Sequence, residues 1–257
     1  MSTCKSPQQM FGALAKTYYA EFSGIDPEDI FVVSIMPCTA KKYEASRPEM
    51  CSSGYRDVDA VLTTRELGRM IRQAGIDFIN IDEETFDAPM GQYTGAGTIF
   101  GATGGVMEAA LRTVYAVVVG EPMPDLDIRP VRGLEGVKEA SLEVGSLGEV
   151  NVAVAHGLGN ARKIMDKVAD GTANYHFIEI MACPGGCVGG GGQPLPASDE
   201  KRALRAEALY RDDREVQTYR QSHENPAIKQ LYEKFLIEPL GHKSHDLLHT
   251  HYVERGL

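Results

Sequence analysis

The chain has 257 residues, of which 43% are hydrophobic and 24% are charged, as is typical of a globular protein with a sizeable core. The net charge of −10 argues against a nucleic-acid binder, which needs a basic face to neutralise phosphates. No apolar run approaches the roughly 20 residues that span a bilayer. No signal peptide is recognised either, so we expect a cytoplasmic protein.

The first 40 residues predict a helix followed by a strand. Ser6 is placed to cap the helix, with Pro7 at its first position and Gln9 completing a capping box. Residues 29–35 form a β-branched apolar run of the kind found in buried parallel strands. The run stops at Pro37, which cannot continue a hydrogen-bonded ladder.

Further elements follow from apolar periodicity and from glycine or proline stops. They are strands at 60–63, 150–155 and 175–181, and helices at 64–74, from 106 onward, at 160–169, at 198–214 and from 225 to before 241. The alternation predicts an α/β fold with mostly parallel sheets flanked by helices. The stretch 124–138 has no clear pattern and is our candidate for a boundary between two lobes.

Five cysteines are present: Cys4, Cys38, Cys51, Cys183 and Cys187. An odd number without a secretory signal argues against a disulfide framework. Buried thiols, reactive thiols and metal ligands stay open for each of them.

Two loops at strand ends combine cysteine with proline and glycine. Cys38 follows the first predicted strand, and Cys183 and Cys187 flank Pro-Gly-Gly after the strand at 175–181. Ligands bind at the carboxyl ends of strands in open α/β sheets. Thiolates suit iron–sulfur clusters and zinc, and glycines let backbone amides approach an anionic cofactor. Structural zinc sites more often use two cysteine pairs, so the single pair here favours a cluster over zinc.

Three long segments resemble signatures of the [FeFe]-hydrogenase (iron-only hydrogenase) family: residues 36–50 (MPCTAKKYEASRPEM), 94–113 and 179–194 (EIMACPGGCVGGGGQP). The resemblance extends over essentially the whole chain. It implies two lobes around a buried cluster site. It also implies a catalytic domain at 1–240 that lacks its N-terminal portion, and a small-subunit-like tail at 241–257.

The family's cofactor, the H-cluster, joins a [4Fe–4S] cubane to a two-iron subcluster with CO, cyanide and dithiolate ligands. The resemblance implies that Cys38, Cys183 and Cys187 ligate the cubane and that Cys187 also bridges to the two-iron unit. Lys41 matches a lysine whose ammonium group hydrogen-bonds a cyanide. Without the resemblance, Lys41 would be a solvated surface residue, which is how we interpret Lys42.

The resemblance assigns further residues to the surroundings of the cofactor. Met36 and Phe100 match apolar residues beside the two-iron unit, although the sequence alone would place both in the core. Pro7 and Gln8 are expected near the cluster, and Ser2 aligns with a serine of the proton path.

Several other motifs have plainer interpretations. Cys4 and Cys51 match no ligand position, and we expect them to be free thiols. We expect the C-terminal histidines to be surface side chains; they are His242, His245, His249 and His251. The helix that starts at Gly104-Gly105 is expected to direct its positive end at the cofactor. The preceding glycines lack the dinucleotide-binding spacing.

One family signature, a Thr-Ser-Cys-Cys-Pro stretch, is absent. In the family it supplies the fourth cubane ligand and a proton-relay cysteine. We therefore expect a truncated product or one half of a split enzyme, whose companion chain provides that motif.

The expected activity is reversible reduction of protons to H2, with electrons from ferredoxin or a similar carrier and assembly by hydrogenase maturation proteins. The alternatives are a hydrogenase-like iron–sulfur assembly protein without the two-iron unit, and a non-catalytic fragment.

Overall fold

A computed structural model describes residues 1–254 of the chain. Its α-helices are α1 (Pro7–Leu14), α2 (Ala20–Ser23), α3 (Ala40–Ser46), α4 (Thr64–Gln73), α5 (Gly95–Thr98), α6 (Gly105–Val119), α7 (Leu158–Ala169), α8 (Asp199–Arg211), α9 (Pro226–Leu231) and α10 (His242–Leu248). Its strands are β1 (Val33–Ile35), β2 (Ala60–Leu62), β3 (Val137–Glu143), β4 (Glu149–His156) and β5 (Phe177–Met181). The predicted α/β class is confirmed.

The chain forms two compact units. The first comprises Met1–Gln92 and the chain from Pro226 onward, and the second comprises Tyr93–Asn225. The unit boundaries therefore do not fall in the stretch 124–138. That stretch instead leads into β3, a strand that sequence periodicity did not reveal because Lys138 occupies one of its buried positions.

In the first unit, β1 and β2 pair in parallel and the first predicted helix is confirmed. A π-helical turn at Ala15–Tyr19 interrupts this helix before Gly24 ends it in a left-handed conformation. The prediction of a buried strand at 29–35 was wrong in extent. Only Val33–Ile35 is a strand, and its two outer residues are 45% and 49% exposed.

The first unit also joins the two ends of the described chain. The backbone N–H of Lys5 donates to Leu248 O at 2.9 Å, and the N–H of Thr250 donates to Thr3 O at 2.8 Å. Behind this pairing, the buried side chains of Leu231, Phe235 and Leu247 form one cluster with Leu14 and Tyr18 of the N-terminal helix.

The second unit is built on a mixed sheet in the order β3-β4-β5, in which β3 is antiparallel and β5 parallel to β4. Alternate β4 side chains are buried on opposite faces. Val152 and Val154 pack with Met107 of α6, whereas Ala153 packs with Ile164 of α7. Both faces of the central strand β4 are thus covered by helices.

Buried charges connect α6 to the π-helical turn Asp212–Val216 that follows α8. Arg112 donates to both carboxylate oxygens of Asp213 at 2.9 Å and to Glu108 at 2.6 Å, and all three side chains are fully buried. Because a buried charge without its partner is costly, this network defines one arrangement of the two elements.

None of the helices within residues 1–254 is long and apolar enough to cross a membrane.

Candidate metal centre

Cys38 lies in the short loop between β1 and α3 and is half-buried. The preceding Met36, also half-buried, donates its backbone N–H to Leu62 O at 2.9 Å and so extends the pairing of β1 with β2. The predicted position of Cys38 at the carboxyl end of a strand is therefore confirmed. Pro37 separates the hydrogen-bonded ladder from the cysteine.

A cavity of about 400 Å³ opens beside Cys38. Its lining includes Lys41 and Glu44 from α3, Arg47 directly after this helix, and Tyr252 from the C-terminal segment. The Lys41 ammonium group pairs with Glu44 at 3.0 Å, and both side chains are about one-fifth exposed. Cys38 and Lys41 thus border the same cavity.

Glu44 organises the polar side of this cavity. Its Oε2 atom accepts from Lys41, from Ser6 Oγ at 2.8 Å and from Gln8 Nε2 at 3.0 Å. Ser6 consequently makes no side-chain bond to the start of α1, so the predicted capping box was wrong. The amide of Gln8 also donates to Lys41 O at 3.2 Å, while its buried Oε1 has no partner among the described residues.

Two other N-terminal candidates are exposed. Pro7 occupies the first position of α1, as predicted. Ser2 accepts the Tyr252 hydroxyl on its carbonyl oxygen at 2.9 Å, and its own Oγ accepts the N–H of Cys4 at 3.2 Å. The first residues are thus tied to the C-terminal segment that lines the Cys38 cavity.

Cys183 and Cys187 belong to the second unit, on one tight loop after β5. The N–H of Gly186 donates to Cys183 O at 3.0 Å, and the N–H of Gly190 donates to Cys187 O at 2.9 Å. Both cysteines are half-buried. These local bonds place the two thiols on one compact turn, which the Cys-Pro-Gly-Gly-Cys spacing predicts.

The cysteine loop packs directly on the segment before α6. Thr103 donates its N–H to Gly185 O at 3.0 Å, and a Cβ on Gly186 would lie 2.8 Å from Thr103 N. Gly186 also has a φ of +90°, which side-chain-bearing residues rarely adopt. Phe100, half-buried, packs with the buried cluster around Ile99 and Tyr210 in this same segment.

Glu179 was missed by sequence analysis. Its carboxylate leaves β5 and accepts the backbone N–H groups of Gly104 and Met107, each at 2.7 Å. Burial raises the pKa of Glu179, while these bonds and the nearby Lys138 act to lower it. Two N–H groups at the start of α6 are therefore satisfied by a carboxylate of the chain itself. That this helix start directs its positive end at an anionic cofactor stays a prediction.

Lys138 supports the same segment from β3. Its buried ammonium group donates to Thr103 O at 3.1 Å and to Gly133 O at 2.8 Å. Burial lowers the pKa of Lys138 to about 8, against the opposing charges of Glu179 and Glu135. The sequence did offer a signal for Glu179, because a single charged residue within an otherwise apolar strand needs a buried partner. It offered none for Lys138, because β3 itself carries several charged residues.

The remaining sequence candidates lie outside these arrangements. Cys4 and Cys51 are exposed free thiols, as predicted. Lys42 is 43% exposed and pairs with Glu66 at 2.8 Å. His245 and His249 stack at a ring separation of 4.1 Å. Within residues 1–254, no three His, Cys, Asp or Glu side chains form a group that could hold a single metal ion.

In each unit taken by itself, the cysteine side chains suit an iron–sulfur cluster better than a single ion. Thiolates are the ligands that such clusters use, and each can bind a different iron atom. Gly185 and Gly186 are buried and let the loop turn tightly against the segment 101–103. The buried Oε1 atom of Gln8 has no partner among the described residues, which leaves it available as an acceptor.

Comparison with known proteins agrees with this chemistry. The chain is 54% identical over 255 residues to the NADP-reducing hydrogenase subunit HndD of Solidesulfovibrio fructosivorans, covering 99% of the chain and 43% of the relative. A solved [FeFe]-hydrogenase HydA1 from Chlamydomonas reinhardtii matches with a TM-score of 0.83 and 45% identity, covering 98% of this chain and 70% of that one.

A second group of relatives is more distant. The cytosolic Fe-S cluster assembly factor narfl of Xenopus tropicalis is 34% identical, covering 98% of the chain and 53% of the relative. The chain thus spans about half the length of the curated relatives it matches.

Two family models match successive parts of the chain. The model described as iron hydrogenase small subunit matches residues 199–255. The model described as iron only hydrogenase large subunit, C-terminal domain, matches residues 1–191. The chain therefore belongs to the iron-only hydrogenase family.

Proposed function

We propose that the chain holds an H-cluster and serves reversible reduction of protons to H2. The observation that supports this most directly is the cavity shared by Cys38 and Lys41. A soft thiolate ligand and a cationic donor beside the same space suit a cofactor that combines an iron–sulfur cubane with anionic cyanides. When bound, the H-cluster would supply the iron at which H2 is split or formed.

Each candidate residue has a task in this proposal. Cys38, Cys183 and Cys187 would hold the [4Fe–4S] cluster, with Cys187 also bridging to the two-iron subcluster. The Lys41 ammonium group would donate a hydrogen bond to a cyanide, and its ion pair with Glu44 would weaken as it does so.

Other residues would shape the surroundings. Met36 and Phe100 would exclude water beside the two-iron unit, and Pro7 and Gln8 would complete the wall. Ser2 would pass protons at its Oγ. Several further points stay predictions. The partners are an electron carrier (ferredoxin or a similar protein), the hydrogenase maturation proteins and a companion chain with the missing motif. The cytoplasmic location and the domain limits 1–240 and 241–257 are predictions as well. The latter segment extends beyond the described residues.

A cluster-assembly role is the second candidate, favoured by the assembly-factor relative. Infrared spectroscopy separates the two functions. We would produce the chain anaerobically with hydrogenase maturation proteins, with and without an upstream segment that carries Thr-Ser-Cys-Cys-Pro, and measure CO and cyanide bands together with H2 evolution from reduced viologen.

The hydrogenase proposal predicts CO and cyanide bands, and turnover when all four cubane ligands are present. A [4Fe–4S] spectrum without CO and cyanide bands in both preparations would favour the assembly role. A Cys187→Ser variant is the control, because it removes the proposed bridge between cubane and two-iron unit.

A further inference from the structure

The glycine-rich loop that follows Cys187 is held by helix α8, which lies in the segment matched by the small-subunit model. Arg205 donates from Nη1 to Val188 O at 3.0 Å and from Nη2 to Pro194 O at 3.2 Å. Val188 is buried and directly follows the proposed ligand Cys187. One guanidinium group therefore joins the two ends of the loop at 188–194.

A second arginine lies one turn earlier on α8. The side chain of Arg202 contacts the loop backbone so closely that a Cβ on Gly189 would lie 3.0 Å from its Nε, and one on Gly185 would lie 3.4 Å from its Cδ. The Arg202 Nε–H is buried and has no hydrogen-bond partner among the described residues. Such a donor indicates that an acceptor belongs beside the loop.

The two arginines differ in whether their charge is paired. Arg202 is paired with Asp199 on the same helix. Arg205 forms no ion pair within residues 1–254, although it is half-buried. The loop thus has one uncompensated positive charge within hydrogen-bonding distance of its backbone. In partly buried surroundings such a charge acts strongly on a nearby anion because it is weakly screened.

We propose that Arg205 is a positioning residue for the cluster. It fixes the loop of Cys187 through Val188 and Pro194, and its charge stabilises the more negative, reduced state of the cluster. Arg202 supports the same loop from the preceding turn. This inference rests on the proposed cluster at Cys183 and Cys187. It means that α8, within the residues matched by the small-subunit model, helps to set the reduction potential of the cluster.

The test uses the full chain with its [4Fe–4S] cluster reconstituted anaerobically, in wild type, Arg205→Ala, Arg205→Lys and Arg211→Ala. Arg211 is an exposed arginine on the same helix and serves as the matched control. Two quantities are measured: the reduction potential of the cluster, by electron paramagnetic resonance during a redox titration, and the rate of iron loss to a chelator.

Arg205→Ala is expected to lower the reduction potential, because the charge that favours the reduced state is gone. We expect up to a tenfold change in the ratio of oxidised to reduced cluster at a fixed potential, which equals about 59 mV for one electron. Iron loss is expected to accelerate several-fold. Arg205→Lys should restore the potential but not the slow iron loss, since an ammonium group keeps the charge without the two-pronged geometry.

A potential and a rate of iron loss in Arg205→Ala equal to those of Arg211→Ala would overturn the inference. Faster iron loss at an unchanged potential would reduce Arg205 to a structural role and overturn the charge effect. Failure of the wild-type chain to take up any cluster would instead contradict the proposed function, and the inference with it.

Discussion

Glu179 and Gly104 are joined by a hydrogen bond of 2.7 Å from the backbone N–H to the buried carboxylate. The bond connects the middle of β5, the strand that leads into the cysteine loop, to the start of α6. Because Met107 N–H donates to the other carboxylate oxygen, one side chain satisfies two of the donors that a helix start leaves open. The geometry of the loop therefore depends on a residue that itself binds no metal.

Glu179→Gln should destabilise the second unit. The amide keeps one carbonyl oxygen but directs an NH2 group at a backbone donor, which leaves a buried N–H without an acceptor. The expected loss in free energy of unfolding is about 1–3 kcal/mol, measured by urea denaturation of the chain without cofactor. Glu143→Gln, at an exposed position at the end of β3, is the control. Equal stability of the two variants would contradict the role of Glu179.

Lys138 predicts a dependence of stability on alkaline pH. Its pKa is about 8 when folded, against an ordinary 10.5, so between these values the unfolded chain binds the proton and the folded chain does not. Stability contributed by this group therefore rises as pH increases from about 8 to 10.5. Relative to Lys138→Met, the native chain should gain up to about 3 kcal/mol over that range.

The measurement is denaturant unfolding of both chains at intervals between pH 7 and 11. Comparison with the variant cancels the titration of tyrosines and cysteines, which both chains share. Lys163→Met, at an exposed position, is the control. A pH dependence of Lys138→Met no different from that of Lys163→Met would show that burial does not destabilise the Lys138 ammonium group.

Gly186→Ala should disrupt the cysteine loop. An added Cβ would lie within 3.1 Å of backbone atoms of three residues in the segment 101–103, at a φ of +90°. Gly120→Ala is the comparison, since Gly120 has a φ of +80° with no atom within 4 Å of an added Cβ. We expect a loss of about 1–2 kcal/mol at Gly120 from backbone strain alone.

At Gly186 the loss should be on the order of 3 kcal/mol or more, because strain and collision add. Cluster uptake after reconstitution is measured as the iron content of the protein. It should be lower in Gly186→Ala than in the native chain and unchanged in Gly120→Ala. Full uptake by Gly186→Ala would mean that the loop tolerates displacement from Thr103.

Serine substitutions distinguish ligand from non-ligand cysteines. Replacing Cys38, Cys183 or Cys187 by Ser should each reduce the iron bound per chain and change the spectrum of the reduced cluster, because an alkoxide is a harder, poorer ligand for iron–sulfur clusters. Cys4→Ser and Cys51→Ser should bind iron as the native chain does. Loss of the cluster in Cys4→Ser would assign that exposed thiol to the centre.

The sequence was sufficient for those parts of the fold in which local pattern and tertiary structure agree. The helix Thr64–Gln73 begins at Thr63 with a capping box to Glu66, and β4 follows its apolar run. The strand at 29–35 was overestimated because composition does not reveal how many neighbours a strand has. β3 was missed because Lys138, at one of its buried positions, breaks the alternation of apolar and polar residues.

The site shows the same division. The positions of Cys38, Cys183 and Cys187 after strands follow from local sequence. The partners of Ser6 and Glu179 do not, because Glu44 lies 38 residues from Ser6 and Gly104 lies 75 residues from Glu179. Long-range side-chain bonds of this kind depend on the completed fold.

The order in which the chain is synthesised gives the joined ends of the first unit a further meaning. The second unit is one uninterrupted stretch and can fold as soon as it leaves the ribosome. The first unit must wait, because residues 3–5 pair with residues 248–250 and Tyr252 lines the cavity beside Cys38. We therefore expect the surroundings of Cys38 to be completed after the loop of Cys183 and Cys187 has formed. That interval is one in which a cofactor could enter without any native structure having to unfold.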